Sequence, residues 1–135
     1  MLISAGIGIT PVAAMVGDLA RRRPDRPVRL FHVDREPDTH ALVSDVRDRA
    51  QRLSDLRSLT WYTAGGAEGP AVRSGRMDLA DIDLPQTPRV FLCGPLPFMQ
   101  AIRSALTARG IAPERIEYEV FGPDLWARQP KSGTA

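Results

Sequence analysis

The residues best suited to bind a ligand are two glycines between a predicted strand and a predicted helix. The segment Gly6-Ile7-Gly8-Ile9-Thr10-Pro11 follows the short apolar run Leu2-Ile3-Ser4. Glycines at such a point let backbone N–H groups approach a phosphate, and the positive end of the following helix favours its charge. We expect residues 6–11 to bind the pyrophosphate of a dinucleotide, with the phosphate over residues 8–10. A tight turn without a ligand is the alternative.

Two features separate this turn from the usual dehydrogenase fingerprint. Pro11 stands where a third glycine is expected, and the acidic candidates Asp34 and Glu36 lie farther along the chain than the usual roughly 20 residues. We therefore predict that Asp34 and Glu36 are ordinary surface-loop charges.

A second candidate segment is Cys93-Gly94-Pro95, which ends a predicted strand. Ligands of open parallel sheets bind beyond the carboxyl ends of the strands, so Cys93 should face the same crevice as the glycine turn. No histidine stands near Cys93 in sequence to act as its base, which disfavours a nucleophilic role and leaves a buried structural thiol as the alternative. Gly94 and Pro95 would shape the floor of the pocket.

The histidines and the strand-end aromatic residues favour structural roles. His32 and His40 stand eight residues apart across a predicted loop, which is poor spacing for a metal site. We expect hydrogen-bonded loop residues and no metal. Trp61 and Tyr62 at a strand end are predicted to be core or lid residues rather than adenine-stacking residues.

Five strands and three helices are predicted to position these residues. The first helix begins at the cap Thr10 and ends before Pro24, the second follows the cap Thr39, and the third ends at Arg109-Gly110. A long glycine-rich surface loop, with a helical turn near residues 77–79, precedes the fourth strand. Alternation of strands and helices predicts an α/β, Rossmann-like three-layer sandwich around a parallel sheet. The predicted strands are residues 2–4, 28–33, 59–63, 89–93 and 116–120.

Length and composition exclude several classes of protein. A chain of 135 residues suits one domain, predicted as residues 1–127 with a disordered tail at 128–135. No apolar run approaches the roughly 20 residues that span a bilayer, so no membrane partner is expected. The net charge is +2, with arginines spread along the chain, which disfavours nucleic-acid binding. A single cysteine and the absence of a signal-like N-terminus favour the cytoplasm.

Several motifs, taken in order, resemble the ferredoxin reductase-like flavoprotein superfamily, and most closely its flavohaemoglobin branch. The resemblance covers nearly the whole chain up to Pro123. The similar segments are Leu2-Ile3-Ser4-Ala5-Gly6, Phe31-His32 with His40, Thr60-Trp61-Tyr62, Phe91-Leu92-Cys93-Gly94-Pro95, Phe98-Met99-Gln100 and Tyr118-Glu119-Val120-Phe121-Gly122-Pro123.

The resemblance implies a fold, an activity and a set of site residues. The fold would be a five-stranded parallel sheet in the order 3-2-1-4-5. NADH, or alternatively NADPH, would reduce FAD, and FAD would reduce a globin haem that supports nitric oxide dioxygenation. The segment Gly6 to Pro11 would bind the dinucleotide phosphates, and Cys93-Gly94-Pro95 would lie near the nicotinamide.

The same resemblance assigns the end of the last strand to the flavin. Val120-Phe121-Gly122-Pro123 would contact it, with Phe121 over its ring, and Phe121 should then be exposed when no flavin is held. Glu119 matches an acidic residue at the flavin–haem junction, with a solvated strand-end carboxylate as the alternative. The resemblance thus makes Cys93, Phe121 and Glu119 the candidate catalytic residues.

The sequence does not include the flavin-binding barrel or the globin domain of that family. We therefore expect a flavin-binding domain in cis or in trans, and no useful NADH oxidation by this chain alone. Two alternatives stay open: a non-catalytic dinucleotide-binding module, and the nucleotide lobe of an oxygenase reductase component. NADH should be preferred over NADPH, because Thr63-Ala64-Gly65-Gly66 lacks the Ser-Arg pair of the NADPH-using relatives; Arg73 and Arg76 are the residues that could overturn this preference.

Overall fold

The computed structural model describes residues 1–120, which form one parallel sheet with helices on both faces. The strands are β1 Leu2–Ala5, β2 Val28–Asp34, β3 Leu56–Tyr62, β4 Val72–Ser74, β5 Val90–Gly94 and β6 Ile116–Val120. The helices are α1 Ile9–Arg22, α2 Val43–Ala50 and α3 Leu96–Ala108. Short 3-10 turns cover Gly6–Gly8, Pro37–Thr39 and Pro113–Arg115. Phe121, Gly122, Pro123 and the predicted tail at 128–135 lie outside the described residues.

The strand order is β4-β3-β2-β1-β5-β6, with every neighbouring pair of strands parallel. The predicted α/β class and the relative order of the five predicted strands are confirmed. Strands β2, β3 and β4 lie on one side of β1, and β5 and β6 lie on the other. The boundary between β1 and β5 is therefore the point at which the strand order changes direction. Ligands of such sheets bind at this switch point.

The sheet has six strands rather than five. The additional strand, β4, lies within the segment predicted as a surface loop. It is three residues long and lacks an alternating pattern, so its sequence gave no strand signal. Backbone N–H groups of Thr60 and Gly75 donate to the carbonyl oxygens of Ala71 and Tyr62 and attach it to β3.

Several element boundaries also differ from the prediction. Helix α2 begins at Val43, and the predicted cap Thr39 instead ends the preceding 3-10 turn. Strand β3 begins at Leu56, three residues before the predicted start, and residues 77–79 form no helical turn.

Two apolar layers fill the space on either face of the sheet. One joins β1 and β2 to α1 and α2, and it includes Val12, Val16, Leu30 and Val46. The other joins the sheet to α3, with Leu92, Met99, Ile102 and Leu106 at its centre. Helical spacing on the helices and alternation on the strands place these side chains on facing surfaces. Within residues 1–120, no helix combines the length and apolar character needed to cross a bilayer.

Candidate functional site

The glycine turn between β1 and α1 lies at the switch point of the sheet. Gly6 has φ +53°, the left-handed region that glycine adopts without strain. Helix α1 begins at Ile9 with Gly8 as its N-cap, so the predicted cap Thr10 lies inside the first turn. This helix start has neither a side-chain cap nor an acidic residue. Its positive end therefore faces the carboxyl edge of the sheet with no acidic side chain in its own first turn.

Gly8 packs directly against the end of β5. A Cβ atom added there would lie 2.6 Å from the Cys93 carbonyl carbon and 3.0 Å from the Gly94 nitrogen, so no side chain fits. Gly94 is equally confined, because its added Cβ would lie 2.9 Å from the Phe98 ring and 3.1 Å from Ala5 Cβ. The structure thus brings the two segments singled out in the sequence into contact, and both glycines have a packing reason to be glycine.

Cys93 supplies its backbone, rather than its sulfur, to this contact. The side chain is completely buried, and burial together with the nearby Glu119 carboxylate raises the pKa of its thiol to about 11. A thiol that stays neutral at pH 7 and is closed to solvent is a poor nucleophile. The geometry therefore agrees with the structural alternative for the sulfur. Pro95 is exposed and is the N-cap of α3.

Three side chains connect the ends of β1 and β2, and we call them the histidine bridge: Ser4, His32 and Asp34. Ser4 Oγ lies 2.7 Å from His32 Nδ1, and His32 Nε2 lies 3.1 Å from Asp34 Oδ2. The other Asp34 oxygen accepts hydrogen bonds from the Arg35 backbone N–H and the Thr39 hydroxyl. Asp34 is therefore a fixed structural carboxylate, and its prediction as an ordinary loop charge was wrong. Glu36 is exposed, as predicted.

Burial and hydrogen bonding set the charges in the bridge. Burial lowers the pKa of His32 to about 4, even though the hydrogen bond with Asp34 favours protonation. The pKa of Asp34 is lowered as well, because hydrogen bonds from His32, Arg35 and Thr39 outweigh the opposing effect of burial. At pH 7 the bridge thus contains a neutral imidazole and an ionised carboxylate.

His40 extends this cluster toward β3. Its ring stacks on that of His32 with centroids 4.4 Å apart, and its Nδ1 lies 2.8 Å from the Tyr62 hydroxyl oxygen. Burial lowers the pKa of His40. The predicted role of the histidines as hydrogen-bonded residues is confirmed, although His32 lies in a strand and not in a loop. Trp61 and Tyr62 are buried, as expected of core residues.

A cavity of about 400 Å³ opens beside this cluster, between α2 and the uncovered face of β3. Its walls include His40, Val43, Arg47, Thr60 and Tyr62. Within the described part of the chain, no group of three His, Cys, Asp or Glu side chains could hold a metal ion.

The predicted flavin-side residues begin at the end of β6. Glu119 is exposed and pairs in register with Cys93, so it reaches the same sheet edge as the glycine turn. Val120 is the last residue of β6.

Sequence reasoning missed Ser4 and the partnership of His32 with Asp34. The contact between Ser4 and His32 crosses from one strand to another, which no local pattern reveals. The one available signal is the spacing of His32 and Asp34, since residues two apart in a strand share a face.

Comparison with known proteins identifies the family. The family model described as "Oxidoreductase NAD-binding domain" matches residues 2–104. A flavohemoprotein from Chromobacterium violaceum is 41% identical over 130 residues, which cover 90% of this chain and 32% of the relative. A flavohemoprotein from Bordetella pertussis is 37% identical with the same coverage. The chain thus spans about a third of the length of these relatives.

Solved structures agree with these sequences. A flavohemoglobin from Malassezia yamatoensis with bound FAD and heme superposes with a TM-score of 0.81 at 41% identity, over 90% of this chain and 31% of that one. The FAD/NAD-binding domain of a nitric oxide dioxygenase from Vibrio cholerae gives 0.80 at 32% identity, over 90% and 50% of the two chains. The resemblance found in the sequence is confirmed: this chain belongs to the oxidoreductase NAD-binding domain family and is homologous to that part of the flavohemoproteins.

Proposed function

We propose that the chain binds NADH and presents its nicotinamide to FAD, which is held by a flavin-binding domain in the same natural protein or in a partner. The main supporting observation is the contact between Gly8 and the Cys93 carbonyl group. It joins the turn suited to phosphates to the strand end that the family resemblance assigns to the nicotinamide.

The residues present fit a dinucleotide. The left-handed Gly6 opens the turn, and the uncapped start of α1 offers a positive end to the phosphates above residues 8–10. Thr10 is exposed there and can donate its hydroxyl, while Pro11 fixes the backbone of the first helical turn. Bound NADH supplies the hydride, and the chain contributes binding and orientation.

Cys93, Gly94 and Pro95 form the proposed nicotinamide wall. The glycine at position 94 keeps this wall thin, since Ala5 and Phe98 leave no room for a side chain there. On the flavin side we assign Glu119, Val120, Phe121, Gly122 and Pro123 by family resemblance. Cys93, Glu119 and Phe121 stay the candidate catalytic residues, with Cys93 shaping the site through its backbone.

The wider activity follows from the relatives. We propose that the natural protein is a flavohaemoglobin-type oxidoreductase acting in the cytoplasm, in which electrons pass from NADH through FAD to haem for nitric oxide dioxygenation. The flavin would come from a domain outside this sequence, and so would the haem.

Titration and turnover measurements test the proposal. Isothermal titration should show NADH binding and no tight FAD binding by this chain, because it supplies one side of the hydride-transfer geometry. Following NADH absorbance, we expect no useful oxidation by the chain alone and oxidation after addition of a flavin-loaded domain from a related flavohemoprotein. Gly8→Ala, in which the added Cβ should displace the glycine turn from β5, is the control that should lose NADH binding. Absence of NADH binding, or rapid turnover without flavin, would contradict the proposal.

We further predict that NADH binds more tightly than NADPH. Thr63 and Ala64 follow β3, and their backbone N–H groups are occupied by the carbonyl oxygens of Asp34 and Arg35. Arg76 follows β4 near the same edge, whereas Arg73 pairs in register with Trp61. Titration with both nucleotides at moderate salt is the measurement. Equal affinities that are lost in Arg76→Ala, but kept in Arg73→Ala, would show that Arg76 binds the 2′-phosphate and that the prediction is wrong.

A further inference from the structure

We propose that His32 is a positioning residue for the dinucleotide, because the histidine bridge fixes the glycine turn relative to the end of β2. This inference rests on the proposed function, in which the turn holds the phosphates. It assigns a role to Ser4, His32 and Asp34, to which the proposed function gives no contact with the dinucleotide.

The direction of each hydrogen bond in the bridge follows from the charges. An ionised Asp34 can only accept, so His32 must donate its Nε2–H proton to Asp34 Oδ2. The imidazole is neutral, so Nδ1 has a free lone pair and accepts the Ser4 hydroxyl proton. The bridge is therefore a directed series of hydrogen bonds from β1 to the carboxylate. Reversing either bond would leave a buried polar atom unpaired, at a cost in free energy.

Ser4 transmits this arrangement to the turn. It is completely buried, it pairs in register with His32 on one side and with Cys93 on the other, and Gly6 follows two residues later. The position of the glycine turn is thus fixed by contacts with two neighbouring strands. Gly8 rests on the Cys93 carbonyl group from β5, and Ser4 is held by His32 from β2.

The far end of the bridge is also fixed. Asp34 is held by Thr39 and the Arg35 backbone, and His40 stacks on the His32 ring while bonding Tyr62 of β3. The ionisable groups around His32 are Asp34 on its own strand, His40 in the following loop, Tyr62 on β3, Cys93 beyond Ser4 on β5, and Arg47 on α2 beside His40. Both histidines are neutral at pH 7, so the stack places no repulsive charge beside the imidazole.

The bridge does not form a hydrolytic triad, although it contains the same residue types. A triad serine is open to substrate and bonds the imidazole nitrogen opposite the one that faces the carboxylate. Here Ser4 and Asp34 also bond opposite nitrogens, but with the two nitrogens exchanged, since Nδ1 faces the serine and Nε2 the carboxylate. Ser4 is moreover completely buried and cannot meet a substrate. Holding the backbone is the role that remains for these contacts.

Substitution of His32 tests the proposal. In His32→Leu the Ser4 hydroxyl and Asp34 lose their shared partner, and we expect the Kd for NADH to rise about tenfold through displacement of the turn. In His32→Gln, a side-chain amide can both accept from Ser4 and donate to Asp34, and Kd should stay within about threefold of the wild type. Ser4→Ala removes one hydroxyl with little change in volume and should give an intermediate loss.

Controls separate positioning from general stability. Leu106→Ala creates a cavity in the layer beneath α3, away from the turn. It should lower the melting temperature without changing Kd. If His32→Leu fails to fold, Ser4→Ala and His32→Gln provide the comparison. Nitrogen-15 NMR of the imidazole gives an independent readout, and we expect the neutral Nε2–H form of His32 from pH 8 to pH 6.

The outcomes are distinct. Wild-type chain that does not bind NADH would overturn the proposed function and this role together. Wild-type chain that binds NADH, with an unchanged Kd in His32→Leu or Ser4→Ala, would overturn only the role of His32. An imidazolium or an Nδ1–H tautomer at pH 7 would also overturn it. A raised Kd that His32→Gln largely restores, beside an unaffected Leu106→Ala control, supports it.

Discussion

The two glycines of the turn are required for different reasons, and substitution should separate them. Gly6 needs its left-handed backbone but has open space around the missing Cβ, so Gly6→Ala should cost about 1 kcal/mol of unfolding free energy. Gly8 has no space, and Gly8→Ala must displace the turn from β5. We expect a loss above about 2 kcal/mol and at least about tenfold weaker NADH binding. Urea unfolding and NADH titration are the measurements, and similar results for the two variants would contradict this interpretation.

Cys93 should be chemically silent in the folded chain. It is completely buried, and its raised pKa of about 11 leaves almost no thiolate at pH 8. We therefore expect a disulfide reagent to leave the native protein unmodified at pH 8 and to label one thiol per chain in guanidinium chloride. Rapid labelling without denaturant would show that the end of β5 opens, and the packing of Gly8 on its carbonyl group would then need revision.

Sequence reasoning found the parts of the site that are contiguous in the chain. The segment from Gly6 to Pro11 and the segment beginning at Cys93 were recognisable because a turn and a strand end have local signatures. The histidine bridge was not, because Ser4 and His32 meet only through strand pairing. The role of Asp34 was also missed. Its partner His32 lies on the same strand, but the burial of His32 that fixes this contact depends on the whole sheet.

The start of α2 contains the one non-glycine residue with positive φ among residues 1–120. Leu42 has φ +56°, it precedes the helix as its N-cap, and its side chain is 41% exposed. Leucine is strained there, whereas asparagine adopts the left-handed region more readily. Leu42→Asn should stabilise the fold by about 0.5–1 kcal/mol, measured by urea unfolding. Ala41→Asn, at an exposed neighbour outside the helix, is the control and should change little; destabilisation by Leu42→Asn would indicate that the leucine side chain packs in solution.

Elements with strong local signals were predicted, and the three-residue strand β4 was not. Helix α3 has buried Met99, Ile102 and Leu106 at helical spacing and ends two residues before Gly110, which has φ +92°. Strand β4 has three residues, two of them exposed and polar, and it exists because β3 offers an open edge. Helix α2 starts later than predicted because the Thr39 hydroxyl bonds Asp34 and the Glu36 carbonyl oxygen instead of capping the helix.

At the scale of the whole molecule, the parallel sheet lines up polar groups near its carboxyl edge, and two of them, Ser4 and His32, are buried. Ser4, His32 and Thr60 lie in register across β1, β2 and β3, and Cys93 and Glu119 continue the row on β5 and β6. The apolar layers lie below this row. Both histidines of the chain are thus held neutral in a partly buried cluster, which links the stability of the entire domain to pH.

This link predicts acid destabilisation above the range in which most carboxylates titrate. A histidine whose pKa is lowered on folding binds a proton more readily in the unfolded chain, so the stability it contributes is present above pH 6.5 and is lost as the pH falls through the folded value. For His32 that value is about 4, down from 6.5. Between pH 7 and pH 5 the free energy of unfolding should fall by about 2 kcal/mol from this residue. His40 adds in the same direction.

Urea unfolding of the wild type and two variants at pH 7 and pH 5 measures this effect. His32→Gln should be less stable than the wild type at pH 7, yet it should lose less on acidification because its side chain does not titrate. His40→Gln should retain most of the pH dependence, since the more strongly perturbed imidazole is still present. The pKa of Asp34 is lowered, so protonation of that carboxylate cannot cause a loss that begins above pH 5. Equal stability of the wild type at the two pH values would mean that folding does not lower the pKa of His32. The imidazole would then gain its proton near its ordinary value of 6.5, and the neutral form expected down to pH 6 would be contradicted.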